Sequence, residues 1–367
     1  MKNNEKKRLI LLLLSTLCIV LALVSLYALS PLSNREIYRG SFSRDFIAEK
    51  TLTPQNVLDL GVNSYYISGL TEDEVFLSNY TNPIHLVRMN RQLKDTQHIR
   101  LHLEELDSVV SPKIFKTEVD PPYFYMTHGV HPALMKGKVG EWRARHHLSG
   151  LAFYTDAVSI DSSTFAIRYF SKSQQAYALA LLQEKEPQFK PNTNILRGQA
   201  EGMFSVSGML HYSKELQKVV YLYSYRNQFM VMDKELNLLH RHNTLDTISI
   251  ARVKVDKIES DNSYTLTSQP AVTQKMSAVS GNYLFVQSAL LAKNEDKEEF
   301  KKKVVIDLYD INTGDYQHSF YLPRYKNNSI KNFKVTENRL LAIHDQYLVA
   351  YRLPDIPSPD PTIVKAK

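Results

Sequence analysis

Phe76-Leu77-Ser78-Asn79-Tyr80-Thr81-Asn82-Pro83 and Tyr125-Met126-Thr127-His128-Gly129-Val130-His131-Pro132 align without a gap, 49 residues apart. The shared pattern is aromatic, apolar, hydroxyl, Asn or His, two free positions, Asn or His, then Pro. A second echo joins Met89-Asn90-Arg91-Gln92-Leu93 to Met232-Asp233-Lys234-Glu235-Leu236, where an apolar strand end leads through three polar residues back to Leu. Asp310-Ile311-Asn312-Thr313-Gly314 has the chemistry of a similar hairpin tip. Self-similarity at a fixed period marks a repeat architecture, and missing it misassigns the whole fold.

Working outward, short runs of aromatic and β-branched residues are broken by Asn, Asp, Gly, Ser and Lys clusters. Val219-Val220-Tyr221-Leu222-Tyr223, Tyr283-Leu284-Phe285-Val286 and Val304-Val305-Ile306 read as strands. Helical periodicity is scarce, with Leu101 to Val110 as one short candidate. Six strand-turn-strand units emerge. Their first strands centre near Phe76, Tyr125, Phe165, Tyr221, Leu284 and Leu341, and their second near Leu86, Leu134, Tyr177, Met230, Ile306 and Leu348. Blades of a propeller recur at about 40–50 residues, and the unit spacings of 49, 40, 56, 63 and 57 fit that with insertions. With two further strands for each unit, the expectation is an all-β, six-bladed β-propeller. The segment from Ile37 to Thr53 is expected to supply the strand that completes the last blade.

Preceding the repeats is an apolar segment. Lys6-Lys7-Arg8 introduces Leu9 to Leu29, twenty-one uncharged residues. The apolar stretch is carried by Leu9, Ile10, Leu11, Leu12, Leu13, Leu14, Leu17, Ile19, Val20, Leu21, Leu23, Val24, Leu26 and Leu29. About 20 apolar residues in a helix cross the ~30 Å hydrocarbon core. A cleaved signal has a shorter apolar region and a small-residue cleavage site, and here Pro31 follows Ala28-Leu29-Ser30. Cys18 sits mid-segment, so a lipid anchor fits less well still. The expected fold is therefore a propeller preceded by one N-terminal transmembrane helix. The positive cluster holds the N-terminus in the cytoplasm and puts the remainder on the extracytoplasmic side. The chain divides into a basic segment 1–8, an anchor 9–29, a tether 30–40, a propeller 41–353 and a Pro-rich tail 354–367, expected to be disordered.

The repeat spacing and hairpin chemistry over roughly residues 40 to 353 resemble the broad six-bladed, TolB-like propeller class. That resemblance implies an exported module that binds partners or ligands. No Gly-His…Trp-Asp blade or Asp-box accompanies it.

Composition narrows function by exclusion. The net charge is +7, of which Lys2, Lys6, Lys7 and Arg8 against Glu5 supply +3. What remains is too dispersed for a nucleic-acid footprint. Gly numbers 12 of 367, and no phosphate-binding glycine loop appears. Beyond Cys18 the chain has no thiol, hence no disulfide or zinc-thiolate site. No Gly-x-Ser-x-Gly elbow or His-Glu-x-x-His helix is present, so no catalytic residue, metal or cofactor is assigned. His128 and His131, with His146-His147 downstream, are the residues singled out for ligand contact. Their alignment with Asn79 and Asn82 favours hydrogen bonding of a turn instead. Asp107 and Asp120 read as turn formers at strand ends, although a glycosidase would need such carboxylates in pairs. Tyr65-Tyr66, Tyr123-Phe124-Tyr125 and Tyr221 to Tyr225 read as packing between blades, with a lined groove as the alternative. Lys293 to Lys303 reads as a solvated charged tip.

The functional expectation is a membrane-anchored, non-catalytic binding or scaffold module. Its partners would be the lipid bilayer and an envelope protein, peptide or small ligand at the propeller face. The alternative is an exported propeller hydrolase or lyase with a His or carboxylate site at the channel mouth. Clustered acids and histidines at one end of the channel would favour the enzyme, and an apolar filling would favour partner binding.

Overall fold

Val219, Val220, Tyr221, Leu222 and Tyr223 are all completely buried, although a strand with one wet face would alternate. A strand sandwiched between two neighbouring sheets has no wet face, so both sets of alternate side chains must be apolar. Here Val219, Tyr221 and Tyr223 pack toward one neighbour with Leu179 and Leu210, while Val220 and Leu222 pack toward the other with Leu284 and Val286. The same division recurs in every unit.

A computed structural model describes residues 3–29, 37–104, 114–129, 131–199, 203–258, 260, 263–268 and 270–354. It contains six sheets of four or five strands arranged as a six-bladed propeller. The innermost strands are Tyr65–Leu70, Lys116–Asp120, Tyr154–Ser159, Gly208–Ser213, Gln274–Ser280 and Ile330–Thr336, for blades 1 to 6. The strand pairs expected around Phe76/Leu86 through Leu341/Leu348 are the second and third strands of each blade.

Among the described residues, six hydrophobic clusters fall one to each interface between adjacent blades. They include Phe76 with Phe124 at blades 1 and 2, Tyr125 with Phe165 at blades 2 and 3, and Leu77 with Leu341 at blades 6 and 1. The last of these closes the ring. Burying such side chains contributes about 25 cal/mol per Å² of apolar surface, so this repeated interface is the main source of stability.

Closure also uses a strand exchange. Pro54–Asp59 lies antiparallel to Tyr347–Arg352 and forms the outermost strand of blade 6. Phe46–Thr51, inside the segment expected to do this, instead adds a fifth, parallel strand to blade 5 beside Tyr316–Pro323. The break falls at Leu52, which packs between blades 5 and 6 and donates its N–H to the Tyr321 carbonyl, 2.9 Å. The chain therefore changes blades between two consecutive short strands. The long interval between blades 4 and 5 holds an extra hairpin, Val255–Ile258 with Ser263–Leu266, outside any blade.

The N-terminal unit is the helix Asn3–Leu29. Its stretch Glu5–Tyr27, 23 residues, is long and apolar enough to cross a membrane by length and composition. Residues 30–36 of the tether, 105–110 of the helical candidate with Asp107, and 355–367 of the tail lie outside the described residues. The charged tip is more structured than expected. It carries a short helix, Lys297–Lys302, capped by the Asp296 side chain, which accepts from the N–H groups of Glu298 and Glu299.

Candidate functional site

The innermost strands run in one direction around the ring. Contacts between neighbours step forward together: Ile67 N–H donates to Asn332 Oδ1 (2.9 Å) and Lys334 Nζ to Ser68 O (3.4 Å), while His211 pairs with Ser277 and Ser213 Oγ donates to Gly281 O (3.0 Å). Two distinct channel mouths follow, one at the N-terminal and one at the C-terminal ends of these strands.

The channel between them encloses about 550 Å³ and is lined from all six blades. Its walls are polar. On the blade 2 strand, Thr117 and Val119 are buried against neighbouring blades, which turns the alternate residues Lys116, Glu118 and Asp120 toward the axis. Lys116 stands 3.9 Å from Asp156 Oδ1, and Lys334 stands 3.8 Å from Glu118 Oε1. Lys214 pairs with Asp120 across the C-terminal mouth, joining blades 4 and 2. Lys275 and Lys331 line the N-terminal half, with Lys331 held 2.9 Å from Asp345 Oδ1. Tyr80 and Tyr66 also line the channel, with ring centroids 4.5 Å apart.

His211 lies in this lining with Nε2 2.6 Å from Ser277 Oγ. Burial, helped by the Lys334 and Lys116 ammonium groups and opposed by Asp156, pushes its pKa down to about 4. It is therefore neutral at neutral pH. Lys116 is held above the ordinary lysine range, chiefly by Asp156 and further by Glu118, despite burial.

The two histidines singled out from the repeat lie elsewhere. His128 ends the second strand of blade 2, fully buried, and its Nδ1 accepts from the His131 N–H at 3.1 Å. Asn79, the aligned residue, accepts through Oδ1 from the Asn82 N–H at 3.3 Å and the Thr81 N–H at 2.9 Å. Imidazole and carboxamide thus satisfy the same turn. His131 is exposed, and His147 turns to blade 3, with Nδ1 3.2 Å from Glu184 Oε1. Among the described residues, no three or more of His, Cys, Asp and Glu stand together as a metal site. The tyrosine runs divide by position: Tyr125, Tyr221 and Tyr223 are blade-to-blade packing, while Tyr66 borders the channel.

Sequence reasoning passed over Lys116, Asp156, His211, Ser277 and Lys334. A charged residue every second position on a short strand is indistinguishable from an exposed edge until the ring is closed. It also missed a buried ion cluster in blade 5. Arg44 is 2% exposed and forks onto Asp307, Nε to Oδ1 2.7 Å and Nη2 to Oδ2 3.1 Å, with a further bond to Glu295. Glu295, inside the charged tip, is itself buried and accepts from Tyr321 Oη at 2.5 Å.

The fold and channel define the class as a six-bladed β-propeller with an N-terminal apolar helix. No protein family matches the chain, and no curated protein does. Among solved structures, it is similar to a protein of Bacteroides fragilis described as exported. Identity is 11% and the TM-score 0.52, over 87% of this chain and 99% of that one. It is also similar to a DUF4221-family member of Bacteroides vulgatus, at 14% identity and TM-score 0.47, over 82% of this chain and 97% of that one. Neither is described as TolB-like. At these identities the likeness concerns the fold alone.

Proposed function

We propose that this chain is a membrane-anchored, extracytoplasmic binding module, non-catalytic, that takes a small polar ligand in its axial channel. The observation carrying this reading is the polar, unfilled channel of about 550 Å³ lined from every blade. A propeller serving only as a scaffold has no need of such a space, which falls within the ~300–1,000 Å³ of ordinary ligand sites. The lining carboxylates Glu118, Asp120 and Asp156 each face a lysine. Such pairing suits recognition of a charged ligand better than it suits a free acid–base pair. Export of the fold's relative in Bacteroides fragilis and the apolar Glu5–Tyr27 helix support the extracytoplasmic placement. The exposed His131 is the position at which a protein partner would touch blade 2 from outside.

The test uses the full-length protein in mild detergent, screened by thermal unfolding against small metabolites. A ligand at 100 times its Kd adds about 2.7 kcal/mol, and channel substitutions should abolish the shift. No shift with any compound, together with a stoichiometric envelope protein crosslinked to one blade face, would replace this reading with the scaffold.

A second reading, an exported hydrolase or lyase, is favoured by one observation. The Ser277 hydroxyl and a neutral imidazole, His211, meet at hydrogen-bond distance in the channel. Turnover of activated esters that disappears in Ser277→Ala would establish it.

A further inference from the structure

We propose that the N-terminal mouth of the channel binds a small molecule carrying one carboxylate on a ring, with Lys116 taking the carboxylate and Tyr80 the face of the ring. This deepens the proposed channel function and rests on it.

The first observation is an unspent donor set. Lys116 begins the innermost strand of blade 2, yet 62% of its side-chain surface is open to the channel. Its ammonium group makes no hydrogen bond among the described residues. The nearest carboxylate oxygen, Asp156 Oδ1, is 3.9 Å away and outside hydrogen-bond reach. All three N–H donors therefore face the cavity.

The second is an imbalance of charge. Asp156 does not serve Lys116 alone, because the Arg168 guanidinium also feels its field while donating to Gly208 O. Glu118 in turn faces Lys334, and both lysines act on the neutral His211. Around this point three cations, Lys116, Arg168 and Lys334, meet two carboxylates. One positive charge is left over, at the one member whose donors are unused. Lys275 and Lys331 along the same lining make the approach more favourable for an anion. A monoanion restores neutrality, and a carboxylate matches an ammonium as a charge-assisted acceptor.

The third is an aromatic surface beside that charge. Tyr80 is 61% exposed, lines the channel, and its ring lies against Tyr66, whose hydroxyl accepts from the Thr117 N–H at 2.7 Å. That bond fixes Tyr66 next to Lys116, and the pair presents a ring face where a ligand held by the ammonium would extend. Ring faces favour stacking on flat or ring-shaped partners.

The test measures binding to the full-length protein in detergent by calorimetry and ligand-observed NMR. The probes are glucuronate and benzoate, with glucose, cyclohexylamine and inorganic phosphate as controls. The expected result is binding of a ring carboxylate, weakened about tenfold or more by Lys116→Met, weakened less by Tyr80→Ala, and retained in Lys116→Arg. Unchanged thermal unfolding of the unliganded variants separates lost contact from lost fold. No binding of either carboxylate at millimolar concentration, or equal binding by Lys116→Met, overturns the proposal. Binding of glucose or cyclohexylamine instead would overturn it while leaving the channel function standing. Phosphate binding as tightly through Lys116 would overturn the ring-carboxylate assignment in favour of a general anion site.

Discussion

Arg44 Nε lies 2.7 Å from Asp307 Oδ1, a contact between residues 263 apart in the chain and wholly enclosed by blade 5. It is the fastening of the segment that leads into the propeller. Arg44 also donates to Leu290 O at 3.1 Å, and Asp307 also accepts from Ser319 Oγ at 2.6 Å. The neighbouring carboxylates hold the guanidinium well above its ordinary pKa against the effect of burial.

Removing the cation leaves Asp307 and Glu295 buried without it. Breaking a buried pair from one side costs about 3–5 kcal/mol, so Arg44→Met should lose about that much in denaturant unfolding. Combining it with Asp307→Asn should cost less than the sum of the single changes. Strict additivity would show that the two residues do not act as a unit.

The echoed hairpin tips lead to a second prediction. Asn90 Oδ1 accepts from the N–H groups of Gln92 and Lys94, and Asp233 Oδ1 accepts from those of Glu235 and Asn237. Both turns place leucine in the left-handed region, Leu93 at φ 60° and Leu236 at φ 62°. Each leucine is buried, so packing outweighs backbone preference. Leu236→Ala should cost about 2–5 kcal/mol. Leu236→Gly should cost about 1 kcal/mol less than the alanine, because glycine adopts positive φ freely. Glycine proving worse than alanine would refute this account.

The sequence made the middle of each blade legible and left its inner rim opaque. Second and third strands such as Phe76–Asn79 and Val219–Tyr223 are buried on both faces and therefore write themselves as unbroken apolar runs. The equivalence of Asn79 and His128 was readable because a turn needs an acceptor whatever the side chain. Lys116-Thr117-Glu118-Val119-Asp120 carries the channel chemistry, but its alternation acquires an inside only when six blades close. The Arg44 cluster depends on a 263-residue separation and on Glu295, which hides in a run of charges. No local pattern marks it.

Ring closure by Pro54–Asp59 predicts a local weakness. Leu58 packs partly into the cluster between blades 6 and 1 and pairs with Leu348. Leu58→Asp places an unpaired charge against that cluster, which burial disfavours. Amide exchange should then accelerate first in Tyr347–Arg352, which becomes an edge strand. Uniform acceleration in all six blades would mean that closure is global and this strand has no special part.

His211 provides the pH prediction. Its folded pKa of about 4 lies below the ordinary histidine value, so the unfolded chain takes up the proton first as pH falls. The stability owed to its neutral form is complete above about pH 6.5 and is lost between there and about pH 4, up to a ceiling of about 3 kcal/mol. Asp156, Lys116 and Lys334 are the charged groups acting on it, and Ser277 Oγ is its hydrogen-bond partner. His211→Gln keeps a side chain able to bond Ser277 but cannot titrate. Unfolding free energies of the two proteins should therefore run parallel above pH 7 and diverge toward pH 4, the wild type falling faster. A carboxylate bound at Lys116 would offset that ammonium's field and raise the His211 pKa, narrowing the divergence. Parallel profiles throughout would place His211 in contact with bulk solvent rather than in the depth of the channel.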